Sequence, residues 1–330
     1  MSDEPDQTAT SYSEHDKLGP LGARASVLGG GGGDLRAALL GEFRDAVHRA
    51  RTAAGSVGAG ASGAVHEYRK GLRTARAVLA LIEDALPRSE RRAIRQILRD
   101  ARRAVSAARD QAVAPDALAL LTLEDSERIT AEAVLAVARA AAPPTDEVAR
   151  VLAEGAGRAV AQVEALDAAL PPTIAWDLVS DGIAATYREA RAKLKKARRS
   201  WRAFHAWRRR TKELTYQLDL ISKHAGERTA ALRDKYDGIA DALGGAVDLI
   251  MLREVIVTHG AGLDSDRTAE LLGRIDDQID AAVRTARREG KELFARGPRK
   301  FARKVSKAAK KDLAPRTTPA NGAPAPGASA

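Results

Sequence analysis

Two stretches far apart in this chain carry one pattern, and the pattern fixes what each can fold into. VHEYRKGLRTARAVLALI (65–82) and WRAFHAWRRRTKELTYQLDLI (201–221) both contain H-x-x-R-[KR]-x-x-[RK], the second copy starting 139 positions after the first. Wound on a helix at about 100° per residue, His66, Arg69, Lys70, Arg73 and Arg76 fall in one sector, and Tyr68, Leu72, Ala75, Leu79 and Ile82 lie opposite. In the second copy His205, Arg208, Arg209, Lys212 and Tyr216 share a sector, backed by Trp207, Leu214, Leu218 and Ile221. Each stretch is therefore a helix that buries one face and presents cations on the other. A single run of charge is usually a solvated face. Its recurrence, with His and cations in the same register, points instead to a shared anion.

A second pair of matches extends the repeat. Val105 to Asp110 follows His66 much as Leu243 to Asp248 follows His205, the two aspartates lying 44 and 43 positions on. A His-bearing basic helix followed by an Ala-rich helix carrying an Asp, twice in one chain, reads as a duplicated helical unit. Pseudo-two-fold symmetry would bring the two basic stripes face to face.

These residues resemble a known family. HEYRKGLR, HAWRRRTK, SAARD, LGGAVDL and ELFARGPRKFARK are similar to the motifs of the CHAD domain, the conserved histidine α-helical domain, over roughly Asp34 to Asp312. The resemblance implies an all-α fold of two pseudo-symmetric four-helix bundles with a basic channel between them that binds inorganic polyphosphate. It also implies a cytoplasmic protein associated with polyphosphate granules. Arg188 and Arg191 fit the family's basic helix before the second His motif. The cations of the two stripes are the first candidates for ligand contact. Arg99, Arg102 and Arg109 have a physical case for reaching the same ligand, although Arg109 with Asp110 reads equally as a local ion pair. Arg299, Lys300 and Arg303, on a terminal basic helix, form a second tier.

Charge placement supports a polyanion. The whole chain carries a net +10, yet 187–212 alone carries +11 and 284–311 carries +10, so the remainder is acidic. Concentrated positive segments on a polarised protein suit an extended polyanion. With 45% hydrophobic residues but only 4% aromatic, the composition suits close-packed Ala- and Leu-rich helices.

Along the chain, 1–33, ending in a glycine run, reads as a disordered lead and linker, and 313–330 as a disordered tail. The domain runs over 34–312, its halves meeting at Pro171-Pro172 (34–171 and 172–312). Helices are predicted over 34–54, from His66 to about Leu86, over 90–113, in the segment 114–142 punctuated by Pro115, and over 145–170. Others follow over 177–199, 228–243, 248–258, 265–293 and 299–311, with proline and glycine marking their ends. No stretch alternates long enough to demand a strand. The acidic, polar N-terminus and the lack of any long apolar run give neither a secretory signal nor a membrane anchor.

Other chemistry finds little support. The chain has no cysteine, so neither a disulfide framework nor a thiolate metal site is expected. His66 and His205 stand beside Arg and Lys rather than His, Asp or Glu, which disfavours a metal. No second catalytic group stands at a set spacing, which disfavours a phosphoryl-accepting role. Donation of a hydrogen bond to a phosphate oxygen and plain helix packing remain as their roles. There is no GxxxxGK[ST] loop and no nucleophile elbow, so no cofactor, metal or catalytic residue is expected. Nucleic acid is the weaker polyanion, since aromatic platforms for bases are few. An accessory or enzymatic role in polyphosphate metabolism is the third reading.

Overall fold

The computed structural model describes residues 32–313, apart from positions 199, 261 and 263. Among these residues the regular structure is all helical. Nearly all of the expected lead and tail lie outside the described residues, apart from Gly32, Gly33 and Leu313, which belong to the first and last helices. None of the described helices is long and apolar enough to cross a membrane.

The first helix, α1 (Gly32–Gly55), buries Leu35, Leu39, Phe43, Val47 and Ala50, spacings of four and three that keep one face in the core. After a short 3-10 turn comes α2 (Ala61–Ile82), whose Tyr68, Leu72, Ala75, Leu79 and Ile82 are at most 1% exposed, as the wheel predicts. Next come α3 (Arg88–Arg103), α4 (Ser106–Ala119), α5 (Asp125–Ala140), α6 (Thr145–Val160) and α7 (Gln162–Ala169). A capping box starts α5, the Glu127 carboxylate accepting from the Glu124 amide at 2.9 Å. Beyond Pro171-Pro172 lie α8 (Trp176–Lys196), α9 (Trp201–Ala225), α10 (Glu227–His259), α11 (Ser265–Leu293) and α12 (Pro298–Leu313). Ser200 Oγ caps α9 by accepting from the Ala203 amide at 3.2 Å, and Asp264 Oδ1 caps α11 by accepting from Asp266 and Arg267.

Four boundaries differ from the sequence expectation. The helix expected over 90–113 is two, because the chain turns at Ala104-Val105 with Val105 buried, and α4 leaves α3 to pack on α10. Pro115 does not interrupt α4. It lies on the exposed side, while Ala114, Ala117 and Leu118 hold the helix to the core. The helix expected over 145–170 breaks at Ala161 into α6 and α7. In the second half the reverse holds, and α10 runs unbroken through Gly244-Gly245. Two helical glycines cost about 1 kcal/mol each relative to alanine. Leu243, Ala246, Val247 and Ile250 keep an uninterrupted buried face across them, which offsets that cost.

Packing falls into three groups. Around α1 are α2, α6 and α7, with α3 against α2 and α6; in the second half α9, α10 and α12 pack on one another, and α8 packs on α9 and α12. The crossing elements are α4 and α5, which lie on α10, with α5 also on α11. Between these groups α2 packs against both α8 and α9. The approach to α8 depends on Gly182, where a Cβ would fall 2.5 Å from the Leu81 carbonyl oxygen. At the centre of the α2–α9 interface the fully buried Gln217 donates to Ala77 O of α2 at 3.3 Å and to Thr186 Oγ1 of α8 at 3.0 Å. One continuous core runs from Leu35 to Ala309.

Candidate functional site: an arginine cluster between three helices

The polar face of α2 meets cations from two other helices. Arg102 of α3 is held down to about 10, first by burial and then by the charges of Arg76, Arg73, Arg209 and Arg103. Burial also lowers Arg76, with Arg210, Arg95 and Arg209 adding to the effect and Glu213 opposing it. Arg209 of α9 is lowered by burial and then by Arg210, Arg103 and Arg202, again against Glu213. Thus α2 (Arg73, Arg76), α3 (Arg102, Arg103) and α9 (Arg209) hold five guanidinium groups within one another's fields. Among the described residues none of the five has a carboxylate oxygen within 4.0 Å. The Nε of Arg102 is buried with no hydrogen-bond partner. A buried polar donor without a partner costs stability, and an anion accepting from it would recover that cost.

One edge of the cluster is neutralised. Arg210 pairs with Glu189 at 2.7 Å and with Glu213, and Arg95 pairs with Glu83. Although burial works against its charge, the carboxylates of Glu213 and Glu189 keep Arg210 above the ordinary arginine range. Of these acids Glu213 partly offsets the charge around Arg76 and Arg209, and none of the acids is among the charges acting most on Arg102.

A family model described as the CHAD domain matches residues 38–257. The chain belongs to the CHAD family. Its fold is also similar to the crystal structure of the CHAD domain from the plant Ricinus communis, with a TM-score of 0.54. Sequence identity there is 16%, and the match covers 77% of this chain and 91% of the plant chain. No curated protein sequence matches this one.

Within this CHAD chain the residues singled out by sequence go to different places. Arg73, Arg76, Arg102 and Arg209 come together. Arg69, expected on the open face, is only 6% exposed, and its Nη1 donates to the Arg102 carbonyl at 3.3 Å. Lys70 is 3.6 Å from Glu67, which also lies 3.8 Å from the ring of the exposed His66. Arg99 lies 3.8 Å from Asp100 and half exposed. His205 is half buried on α9, one turn before Arg209. Arg208 turns toward α10, its Nη2 lying 3.7 Å from where a Cβ on Gly244 would stand. Lys212 faces α10 as well and bonds Asp237 at 3.2 Å and Asp241 at 2.9 Å. Tyr216, half buried, lies one turn further on.

The remaining candidates stand apart from this group. Arg188 is exposed and Arg191 half buried on α8, the latter beside the Tyr187 hydroxyl rather than among the charges acting most on Arg102. Arg299, Lys300 and Arg303 are exposed on α12. The side chain of Arg109 lies outside the described residues. Two contributors to the cluster's field, Arg103 and Arg202, were not singled out by sequence. The available signal was adjacency: Arg102-Arg103 and Arg209-Arg210 are paired arginines on helices whose neighbouring turns are buried.

Proposed function

We propose that this chain binds inorganic polyphosphate, laying successive phosphates across the arginines of α2, α3 and α9. The observation that carries the reading is the convergence of Arg73, Arg76, Arg102, Arg103 and Arg209 without a carboxylate partner among the described residues. Guanidinium forks match phosphate oxygens in pairs and stay charged at neutral pH. A chain of phosphates supplies one acceptor set after another, which relieves several like-charge repulsions in one event. In this reading 34–171 and 172–312 are the two arms of a duplicated bundle, and the space between their basic stripes is the channel. His66 and His205 would donate to phosphate oxygens at its ends. Membership of the CHAD family supports the same ligand and a cytoplasmic setting at polyphosphate granules.

Nucleic acid is the weaker alternative because open aromatic rings near the cluster are few among the described residues. Trp207 is fully buried, and the Trp201 ring is covered by the Arg253 guanidinium at 4.7 Å. Stacking on open aromatic faces is what single-stranded binders rely on.

The deciding experiment is a titration with polyphosphates of graded length at several salt concentrations, with duplex DNA as competitor. Tight binding that weakens steeply with salt and resists DNA supports the reading. Equal affinity for DNA would transfer the site to nucleic acid, and shortening of the polyphosphate over time would make the protein an enzyme.

A further inference from the structure

Away from the arginine cluster, the start of α2 and the end of α5 frame a cavity of about 330 Å³ that also takes walls from α4, α6 and α10. Its floor is apolar, for Val65, Ala114, Leu135, Ala138 and Val148 line it and are each at most 7% exposed. Alanine accounts for the space: Ala61, Ala108, Ala114, Ala138 and Ala142 bring single methyl groups where larger side chains would close the gap between helices. Among its described lining residues there is neither an aromatic ring nor a carboxylate. The polar ones, Ser62, Arg139 and Thr145, are exposed and so stand at the mouth. Ligand sites commonly measure about 300–1,000 Å³ and are mostly apolar, with a few polar groups that fix orientation. This cavity has that make-up.

Charge at the mouth selects the ligand. Among the described residues Arg139 has no carboxylate oxygen within 4.0 Å. The first turn of α2, which supplies Ala61 and Ser62, holds no acid. Asp146 and Glu147 occupy the first turn of α6, so the negative end of a ligand belongs on the side of α2 and α5. A cation would be repelled by Arg139, and a planar heterocycle would find no ring to stack on. What fits is an aliphatic body with an anionic head. The place is distinct from the arginine cluster: Val65 lies about 12 Å along α2 from Arg73, and Arg139 is not among the charges acting most on Arg76, Arg102 or Arg209.

We propose that this cavity binds an aliphatic carboxylate of middle length, its hydrocarbon against Val65, Leu135 and Val148 and its carboxylate on the Arg139 guanidinium. The inference is independent of the function proposed above. The guanidinium fork donates to both carboxylate oxygens, and removal of the hydrocarbon from water supplies the remaining drive. Because the walls come from five helices, the site exists only in the folded chain, and the ligand therefore raises the thermal midpoint.

The test is calorimetric titration of the full chain with octanoate, octanol and octyltrimethylammonium, for wild type, Arg139→Gln and Ala142→Phe, with Ala61→Leu as a second way of filling the space. Arg139 and Ala142 are exposed, so these variants should keep the fold, which melting without ligand checks. Wild type should bind octanoate and not octyltrimethylammonium. Arg139→Gln should lose roughly 10-fold in octanoate affinity and bind octanol as wild type does, while the filled variants should lose both. No octanoate binding by wild type, equal binding of the cationic amphiphile, or full binding by the filled variants overturns the inference. Displacement of octanoate by tripolyphosphate, together with its loss in Arg73→Gln/Arg76→Gln/Arg102→Gln, would seat the carboxylate on the arginine cluster and overturn it as well. So would a dimer in sedimentation that Ala142→Phe dissociates, since the cavity would then be a contact between two copies of the chain.

Discussion

The buried guanidinium of Arg69 donates to the main-chain carbonyl of Arg102 at 3.3 Å, so an arginine of α2 anchors the stretch of α3 that carries the most perturbed arginine in the cluster. Arg69 thus acts on the site through Arg102's backbone.

Arg69→Ala is therefore expected to cost stability as well as binding. Removing a buried charged donor and leaving its acceptor unsatisfied costs roughly 1–3 kcal/mol. In a chain of this size that lowers the thermal midpoint by about 2–4 °C per kcal/mol. Thermal unfolding checks this, and an unchanged midpoint would show that the bond to Arg102 carries no weight.

Arg73→Gln/Arg76→Gln/Arg102→Gln should behave in the opposite way. These side chains repel one another, so neutralising them should leave the fold as stable as wild type or slightly more so. Polyphosphate affinity should drop, and the slope of log affinity against log salt should become shallower by about one for each phosphate that is no longer neutralised. Isotherms at four or five salt concentrations, read beside the melting curves, measure both.

Lys212→Met separates a stripe residue from a site residue. Its ammonium is already committed to Asp237 and Asp241, which outweigh burial and raise it above the ordinary lysine range. Polyphosphate affinity should stay near the wild-type value, while stability falls by about 1 kcal/mol, as for partly exposed ion pairs. A large loss of binding would mean that Lys212 leaves its two aspartates for the ligand.

How much of the fold and site was legible in the sequence follows from what a helical wheel contains. It identified the buried faces of α2 and α9 correctly, because burial of an apolar sector depends on the helix itself. It could not distinguish Arg69 from Arg73, which share a sector, because α3 covers one and not the other. Nor could it show that Lys212 looks toward acids on α10, since those acids lie 25 and 29 residues away. The continuity of α10 through Gly244-Gly245 was hidden for a similar reason: local propensity argued for a break, and the core on its far side prevented one.

Asp312→Ala should destabilise the second half in a pH-dependent way. This carboxylate, 4% exposed, accepts from the amides of Arg228 at 3.2 Å and Thr229 at 3.1 Å and so caps α10 from the opposite end of the half. A lost cap costs about 1 kcal/mol. Burial opposes the charge, but the two amides, the Arg228 guanidinium and the Thr229 hydroxyl together hold the carboxyl below its ordinary range. The folded value lies below the unfolded one, so the stabilisation is complete above the unfolded value and is lost as pH falls through the folded one. Denaturant melts of wild type and variant at neutral and acidic pH should converge at low pH; a gap that stays constant contradicts the capping role. At Gly226, just before this cap, φ is +137° and a Cβ would stand 3.3 Å from Asp312 Cβ. A larger residue there would be strained and would crowd the cap.

The way α4 and α5 reach across to α10 and α11 has a further consequence for the molecule as a whole. A chain nicked at Pro171-Pro172 would yield two fragments that remain clasped, each completing hydrophobic surface that the other leaves open.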